Sequence, residues 1–316
     1  MMICKGNLFV WAVILIGMLW GCRSKPAADQ DTLNSGVIRI AVDETLFPVL
    51  DAELAVFEAL TPAAGIVPGY TNETRAINLL LADSVRLAIA TRPLTAEEMA
   101  SFHSRKFFPQ VIRMATDGIA LIVNLQNNDT IVNTDMLRKI LSGKIIRWKD
   151  LYGRAGGGNI RVAFDDPNSS TVRYMLDSLL QEGDSLSENC FAAGSNRAVV
   201  DYVSRTPDAL GVIGVNWISD DRDSLSMEFL DRVRVMRVGS AMLPSVRNSF
   251  QPYPYYLYTG QYPLRRSIYI LLNDPRSGLP TGLASFLAGG RGQRIVLRNG
   301  LLPATMPVNI VNITDE

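Results

Sequence analysis

The feature that most constrains this chain is the steady alternation, from residue 37 onward, of short apolar runs with stretches of helical period. Residues 37–42 (VIRIAV) read as a strand and 45–59 as a helix, with Pro48 in the first turn, where its missing N–H costs nothing. A weaker strand at 65–70 precedes a helix at 71–82 (TNETRAINLLLA) that Thr71 or Asn72 would cap. The strand at 86–91 leads to a helix at 95–103 opened by a capping box, Thr95 and Glu98. Residues 119–123 (IALIV) read as a central strand. The pattern then runs through 133–141, 160–163, 171–180, 196–203, 210–213, 233–238 and 268–272 to 281–287 and 293–298. Alternation of this kind predicts an α/β class with mostly parallel sheets.

Ahead of this body, Lys5 precedes an apolar run at 8–19 (LFVWAVILIGML), the length of a signal-peptide core. It is too short for a bilayer crossing, which needs ~20 apolar residues. The run ends in Leu19-Trp20-Gly21-Cys22, which resembles the lipobox of bacterial lipoproteins. That resemblance implies a signal peptide at 1–22, a diacylglyceryl group on the Cys22 thiol and a membrane anchor formed by its acyl chains. An ordinary signal peptide with a chance cysteine, or a signal anchor, is the alternative. Residues 23–35 (RSKPAADQDTLNS) have the polar composition of a tether.

Acidic and basic side chains balance at 31 each. That leaves no net field for nucleic acid or anionic lipid, so any anion site must be local. Of the cysteines, Cys4 and Cys22 belong to the leader, and Cys190 is left without a partner for a disulfide. His103 is the single histidine, which leaves metal binding and acid–base catalysis few candidates. Residues 153–158 (GRAGGG) precede a strand rather than a helix and read as a surface loop, not a nucleotide loop.

Four places repeat one arrangement: a strand, a loop of small or hydroxyl residues, then a helix. They are Asp43-Glu44-Thr45, Tyr70-Thr71-Asn72-Glu73, Asn168-Ser169-Ser170-Thr171 and Gly194-Ser195-Asn196. Helix starts carry unpaired N–H donors and the positive end of a macrodipole. Several aimed at one point would hold an oxyanion without net charge. Taken singly, each is also an ordinary N-cap.

Residues 115–124 (ATDGIALIVN), followed by 141–151 (LSGKIIRWKDL), carry a family resemblance. So do 90–95 (ATRPLT), 168–171 (NSST), 209–214 (ALGVIG) and 262–266 (YPLRR). Across residues 36–305 the chain resembles the substrate-binding proteins of bacterial phosphate ABC transporters, which have the type II periplasmic binding-protein fold. The resemblance implies an α/β protein of two lobes with mixed sheets and a hinge. Lobe 1 would take residues 36–115 with part of 241–316, and lobe 2 would take 116–240. The crossovers would lie near 114–117 and within 238–262. It further implies a monomeric extracytoplasmic lipoprotein, with no catalysis, no cofactor and no metal, that binds inorganic phosphate and delivers it to an ABC permease. A sensor or scaffold lipoprotein of the same fold, binding another oxyanion or a phosphorylated small molecule, is the alternative.

Carried over position by position, the resemblance implies ligand contacts from Thr45, Thr71, Asn72, Ser169, Ser170 and Thr171, with Tyr70 as a further candidate and Arg92 where many members have arginine. The chain departs from the pattern at Phe164-Asp165-Asp166, where some members place an arginine; Arg173 or Arg75 are candidate substitutes. Glu73 is unusual in its loop. It either accepts a proton from the ligand, which would exclude sulfate, or is a first-turn acid on the helix dipole.

Overall fold

The structure, a computed structural model, describes residues 31–152, 157–181, 183–219 and 228–305. The expected signal peptide, Cys22 and the tether up to residue 30 lie outside them. From Asp31 onward the chain is already tied to the body. The Asp31 carboxylate accepts from Arg86 at 2.7 Å and from the Leu279 amide at 2.6 Å, so the last residues expected of the tether are docked.

The strands among the described residues are, in chain order, β1 (Gly36–Asp43), β2 (Ala64–Thr71), β3 (Leu87–Ala90), β4 (Gln110–Asn124), β5 (Ile131–Asn133), β6 (Arg161–Phe164), β7 (Cys190–Ala192), β8 (Ala209–Gly214), β9 (Val233–Val235), β10 (Arg237–Gly239), β11 (Arg265–Leu272) and β12 (Leu302–Pro303). The helices that position the site and its supporting core are α1 (Phe47–Leu60), α2 (Glu73–Leu81), α3 (Ala96–Ser104), α4 (Thr134–Leu141), α5 (Lys149–Tyr152), α6 (Ser170–Leu179) and α7 (Asn196–Arg205).

Among the described residues the main sheet runs in the order β2-β1-β3-β11-β4-β8-β6-β7. β1 pairs in parallel with β2 and β3, and β6 pairs in parallel with β7 and β8. β11 runs antiparallel to β3, β4 runs antiparallel to β8, and the two run antiparallel to each other, which makes the sheet mixed. β4 is the shared strand: residues up to Gly118 pair with β11, and from Ile119 onward the partners are β8 and β9. The boundary expected at residue 115/116 therefore falls inside one continuous 15-residue strand, three residues before the partners change.

The sequence pattern located 119–123 but not the first part of β4. There Arg113, Thr116 and Asp117 interrupt the apolar run, yet Thr116 and Asp117 are buried. The segment expected as one strand at 233–238 is two. β9 pairs with β4, whereas β10 leaves the main sheet and pairs with β5. Apolar periodicity cannot register such a change of partner.

Helix α1 buries Val49, Leu50, Leu54 and Phe57 in the largest core cluster, which spans both halves of the sheet. A second cluster around Trp148, Phe164 and Met175 belongs to the half carrying β6 and β8. A third, around Ile77, Leu80 and Phe102, belongs to the half carrying β1 and β3. Each fully buried side chain of this size contributes roughly 1.5–3 kcal/mol. These clusters hold the carboxyl ends of the parallel strands in place, and the candidate site lies beyond those ends.

Candidate functional site

In open α/β sheets, the crevice outside the carboxyl ends of parallel strands is where ligands bind. Here those ends carry Asp43 (β1), Thr71 (β2), Thr91 (after β3), Asp165 (after β6) and Gly194 (after β7). Side chains from the two halves meet there. The Thr45 hydroxyl lies 3.2 Å from the Ser170 hydroxyl, Asn196 donates to Glu44 at 2.8 Å, and Asn72 donates to Asp166 at 3.5 Å. The Thr45 carbonyl also accepts from Asn216 at 3.1 Å and from the Trp217 indole at 2.9 Å.

The guanidinium at the centre is Arg266. It is 4 % exposed. Its Nε donates to Asp117 Oδ2 at 2.9 Å, Nη1 to the Ser170 hydroxyl at 2.6 Å and Nη2 to the Thr45 hydroxyl at 3.0 Å. Strand register produces this arrangement, because Arg266 on β11 stands directly opposite Asp117 on β4. Gly214, at the end of β8, leaves room for the pair. A Cβ there would lie 2.8 Å from Asn216 Nδ2 and 3.2 Å from Asp117 Oδ2. Burial pushes the Asp117 pKa up, while the Arg266 charge and hydrogen bond pull it down without cancelling the effect. Each hydroxyl that accepts from Arg266 carries one proton, and the one donated within the Thr45–Ser170 contact becomes available when that contact opens. The cluster can therefore present hydroxyl donors, backed by a buried cation, to an oxyanion.

Thr45, Ser169, Ser170 and Thr171 are all buried, as a ligand shell would require. They divide into two groups. Thr45 and Ser170 face Arg266. The Ser169 hydroxyl lies 2.7 Å from that of Thr171, which donates to Asp165 at 2.5 Å. Ser169 also caps α6, accepting from the Val172 amide. Asn72, not Thr71, caps α2.

Glu73 is buried and bonded within the protein. Its carboxylate accepts from Arg173 Nε at 2.5 Å and from the Thr91 amide and hydroxyl at 2.7 Å each. Burial acts to raise its pKa, but the hydrogen bonds and charge of Arg173, helped by Thr91, prevail and hold it below the usual glutamate value. In this structure Glu73 is the anchor of a buried ion pair, the arrangement a structural role would have. Arg173 is spent on the same pair. Arg75 is exposed on α2. Arg92 pairs bidentately with Glu98 at 2.8 and 2.7 Å, in the loop that enters α3. None of these three contacts the Thr45 or Ser170 hydroxyl; the guanidinium that does is Arg266. The sequence motif 262–266 contained it, but only as a marker of the fold.

Beside this cluster is a cavity of about 230 Å³. Asp43, Glu44, Asp165 and Asp166 line it, with Thr71, Asn72, Gly194 and Ser195 completing the wall. Asp43 Oδ1 accepts from the Thr45 amide at 3.1 Å, while Oδ2 is buried with no hydrogen-bond partner. Burial raises the Asp43 pKa to about 7 against the pull of Arg266. Burial, with the nearby Asp165 charge, raises that of Glu44 to about 7. Burial also raises that of Asp165, opposed by the Thr171 and Ser169 hydroxyls. No group of residues that could hold a metal ion occurs among the described residues.

The architecture and this placement of the site define a binding protein with two facing sheet halves. The sequence profile of the PBP superfamily domain matches residues 26–291, and the chain belongs to that family. It is 24 % identical over 299 residues to the phosphate-binding protein PstS of Borreliella burgdorferi, covering 92 % of this chain and 97 % of that protein. It is 21 % identical over 286 residues to the PstS of Staphylococcus saprophyticus, covering 90 % and 84 %. A Clostridium perfringens substrate-binding protein assigned to phosphate ABC transport, solved with phosphate bound, superposes with a TM-score of 0.69 at 21 % identity, covering 85 % of this chain and 100 % of that one. The type II periplasmic binding-protein fold expected from the sequence is the fold of this chain.

Proposed function

We propose that the protein captures inorganic phosphate between the two halves of its sheet and hands it to an ABC permease. It is a binding protein rather than an enzyme, and the reading agrees with what its relatives are named for. The observation that carries it is the convergence of the Thr45 and Ser170 hydroxyls, from opposite halves, on the buried Arg266 guanidinium. An arriving anion accepts hydrogen bonds from the two hydroxyls in the cation's field, and the 3.2 Å Thr45–Ser170 contact opens to admit it. Residues 36–115 and 116–240 then act as lobes that close about a hinge formed by β4 and the return into β11. Closure is driven by contacts the ligand makes only in the closed state. The leader and Cys22 tether the protein to the outer face of a membrane, within reach of the permease.

Calorimetry of the purified protein with phosphate, arsenate, sulfate and methylphosphonate tests the ligand. Heat with phosphate and arsenate is the expected result. No heat with phosphate at millimolar concentration overturns the reading.

A further inference from the structure

The carboxylate-lined cavity is unlike anything an inorganic anion needs. Four carboxyl groups, from Asp43, Glu44, Asp165 and Asp166, border it, and no cationic side chain does among the described residues. Its volume of about 230 Å³ is several times the ~30 Å³ share of one water, which leaves room beyond a single tetrahedral anion. The second observation is independent of the charge count. Asp43 is fully buried, lines the cavity, and has an oxygen, Oδ2, with no hydrogen-bond partner. Buried polar atoms in native proteins are almost always paired, so an unpaired oxygen on a residue that lines a cavity points to a donor that arrives with a ligand. The carboxamide of Asn196 is also fully buried; its Nδ2 donates to Glu44 and to Asp165 Oδ2, and its Oδ1 is unpaired. It thus joins two of the four carboxyl groups and fixes their positions.

We propose that this cavity is a cation subsite and that the protein takes small zwitterionic phosphorus compounds, in which a protonated primary amine sits a short carbon chain away from a phosphate or phosphonate group. The phosphoryl oxygens occupy the Thr45–Ser170–Arg266 cluster, and the ammonium lies in the carboxylate-lined cavity, where Asp43 and either Glu44 or Asp166 accept from it. Thr45 and Asp43 lie on one loop, so the two subsites adjoin through the Thr45 amide that Asp43 accepts. This deepens the phosphate reading, because it uses the same anion cluster and adds the part of the ligand that the cavity would recognise. It also accounts for an acid at position 165: an arginine there would fill the subsite with a competing charge.

The test compares inorganic phosphate, ethylphosphonate and 2-aminoethylphosphonate by calorimetry on the purified protein at pH 7.5, then repeats the series on Glu44→Gln/Asp166→Asn. Both substituted residues are only partly buried, so the variant is expected to fold; its thermal transition checks this. The amine should bind at least ~10-fold more tightly than ethylphosphonate, as one or two close charge pairs allow. The double variant should lose that advantage while keeping its affinity for phosphate. Equal affinity for the two phosphonates, or an amine preference that survives in the variant, overturns the subsite. Phosphate binding with no amine preference would leave the phosphate reading standing and remove only this one. Amine binding without phosphate binding would do the reverse.

Discussion

Replacing Arg266 by methionine tests the site and the fold together. Methionine keeps most of the side-chain volume but leaves Asp117, which is fully buried, facing a neutral neighbour. The wild-type guanidinium supplies Asp117 with a contact at 2.9 Å and also binds two buried hydroxyls. Removing one member of a buried, hydrogen-bonded ion pair costs about 3–5 kcal/mol, most of it from the charge left behind. At ~2–4 °C per kcal/mol for a protein of this size, the thermal midpoint should fall by roughly 6–20 °C. Adding Asp117→Asn removes the stranded charge and should restore all but about 1–2 kcal/mol. Phosphate binding behaves differently. Both the single and the double variant lose the cation behind Thr45 and Ser170, so affinity should fall ~10- to 100-fold in each. Urea unfolding of the three proteins, with calorimetry on each, separates the two effects. A single variant within ~1 kcal/mol of wild type would refute the account of the pair. A double variant with wild-type affinity would remove Arg266 from the site.

Three further outcomes rest on the same geometry. Glu53, on α1, is fully buried with neither oxygen hydrogen-bonded, and burial raises its pKa to about 9. A raised folded-state pKa gives stability that is whole below the unfolded value near 4.5 and is lost as pH climbs through about 9. Wild type should lose up to ~1.4 kcal/mol per pH unit from this group across that window, and Glu53→Gln should flatten the dependence. Equal slopes in thermal unfolding between pH 5 and 9 would contradict this. Glu73→Gln breaks the ion pair with the partly exposed Arg173, so it should cost ~1–3 kcal/mol in urea unfolding while leaving the phosphate-to-sulfate affinity ratio unchanged. A changed ratio would return Glu73 to the ligand. Gly214→Ala places a methyl against Asn216 and the Asp117–Arg266 pair, and should cost ~1–3 kcal/mol and weaken phosphate binding. Wild-type behaviour on both measures would show that the pair has room to spare.

The local determinants of this chain were legible because they act over a few residues. Asn72, Thr95 and Ser169 cap the helices they were expected to begin, and Ser195 caps α7. The apolar runs at 37–42, 86–91 and 160–163 became parallel strands. The hydroxyl-bearing loops at Thr45 and Ser170, each marked by its own local sequence, meet in the fold.

What the sequence could not display is which charge ends beside which. Arg266 and Asp117 are 149 positions apart, and only the β4–β11 register makes them neighbours. Glu73 finds Arg173 across 100 positions, a pairing no local pattern announces. Arg92 is claimed by Glu98 from six residues away. Caps and hydrophobic periods are short-range and so belong to the sequence. The identity of the cation behind the hydroxyls, and the gathering of Asp43, Glu44, Asp165 and Asp166 around one cavity, depend on how the carboxyl ends of two separate sets of strands face each other. Tertiary packing alone decides that, because Coulomb and hydrogen-bond energies depend on distance in space and not on position in the chain.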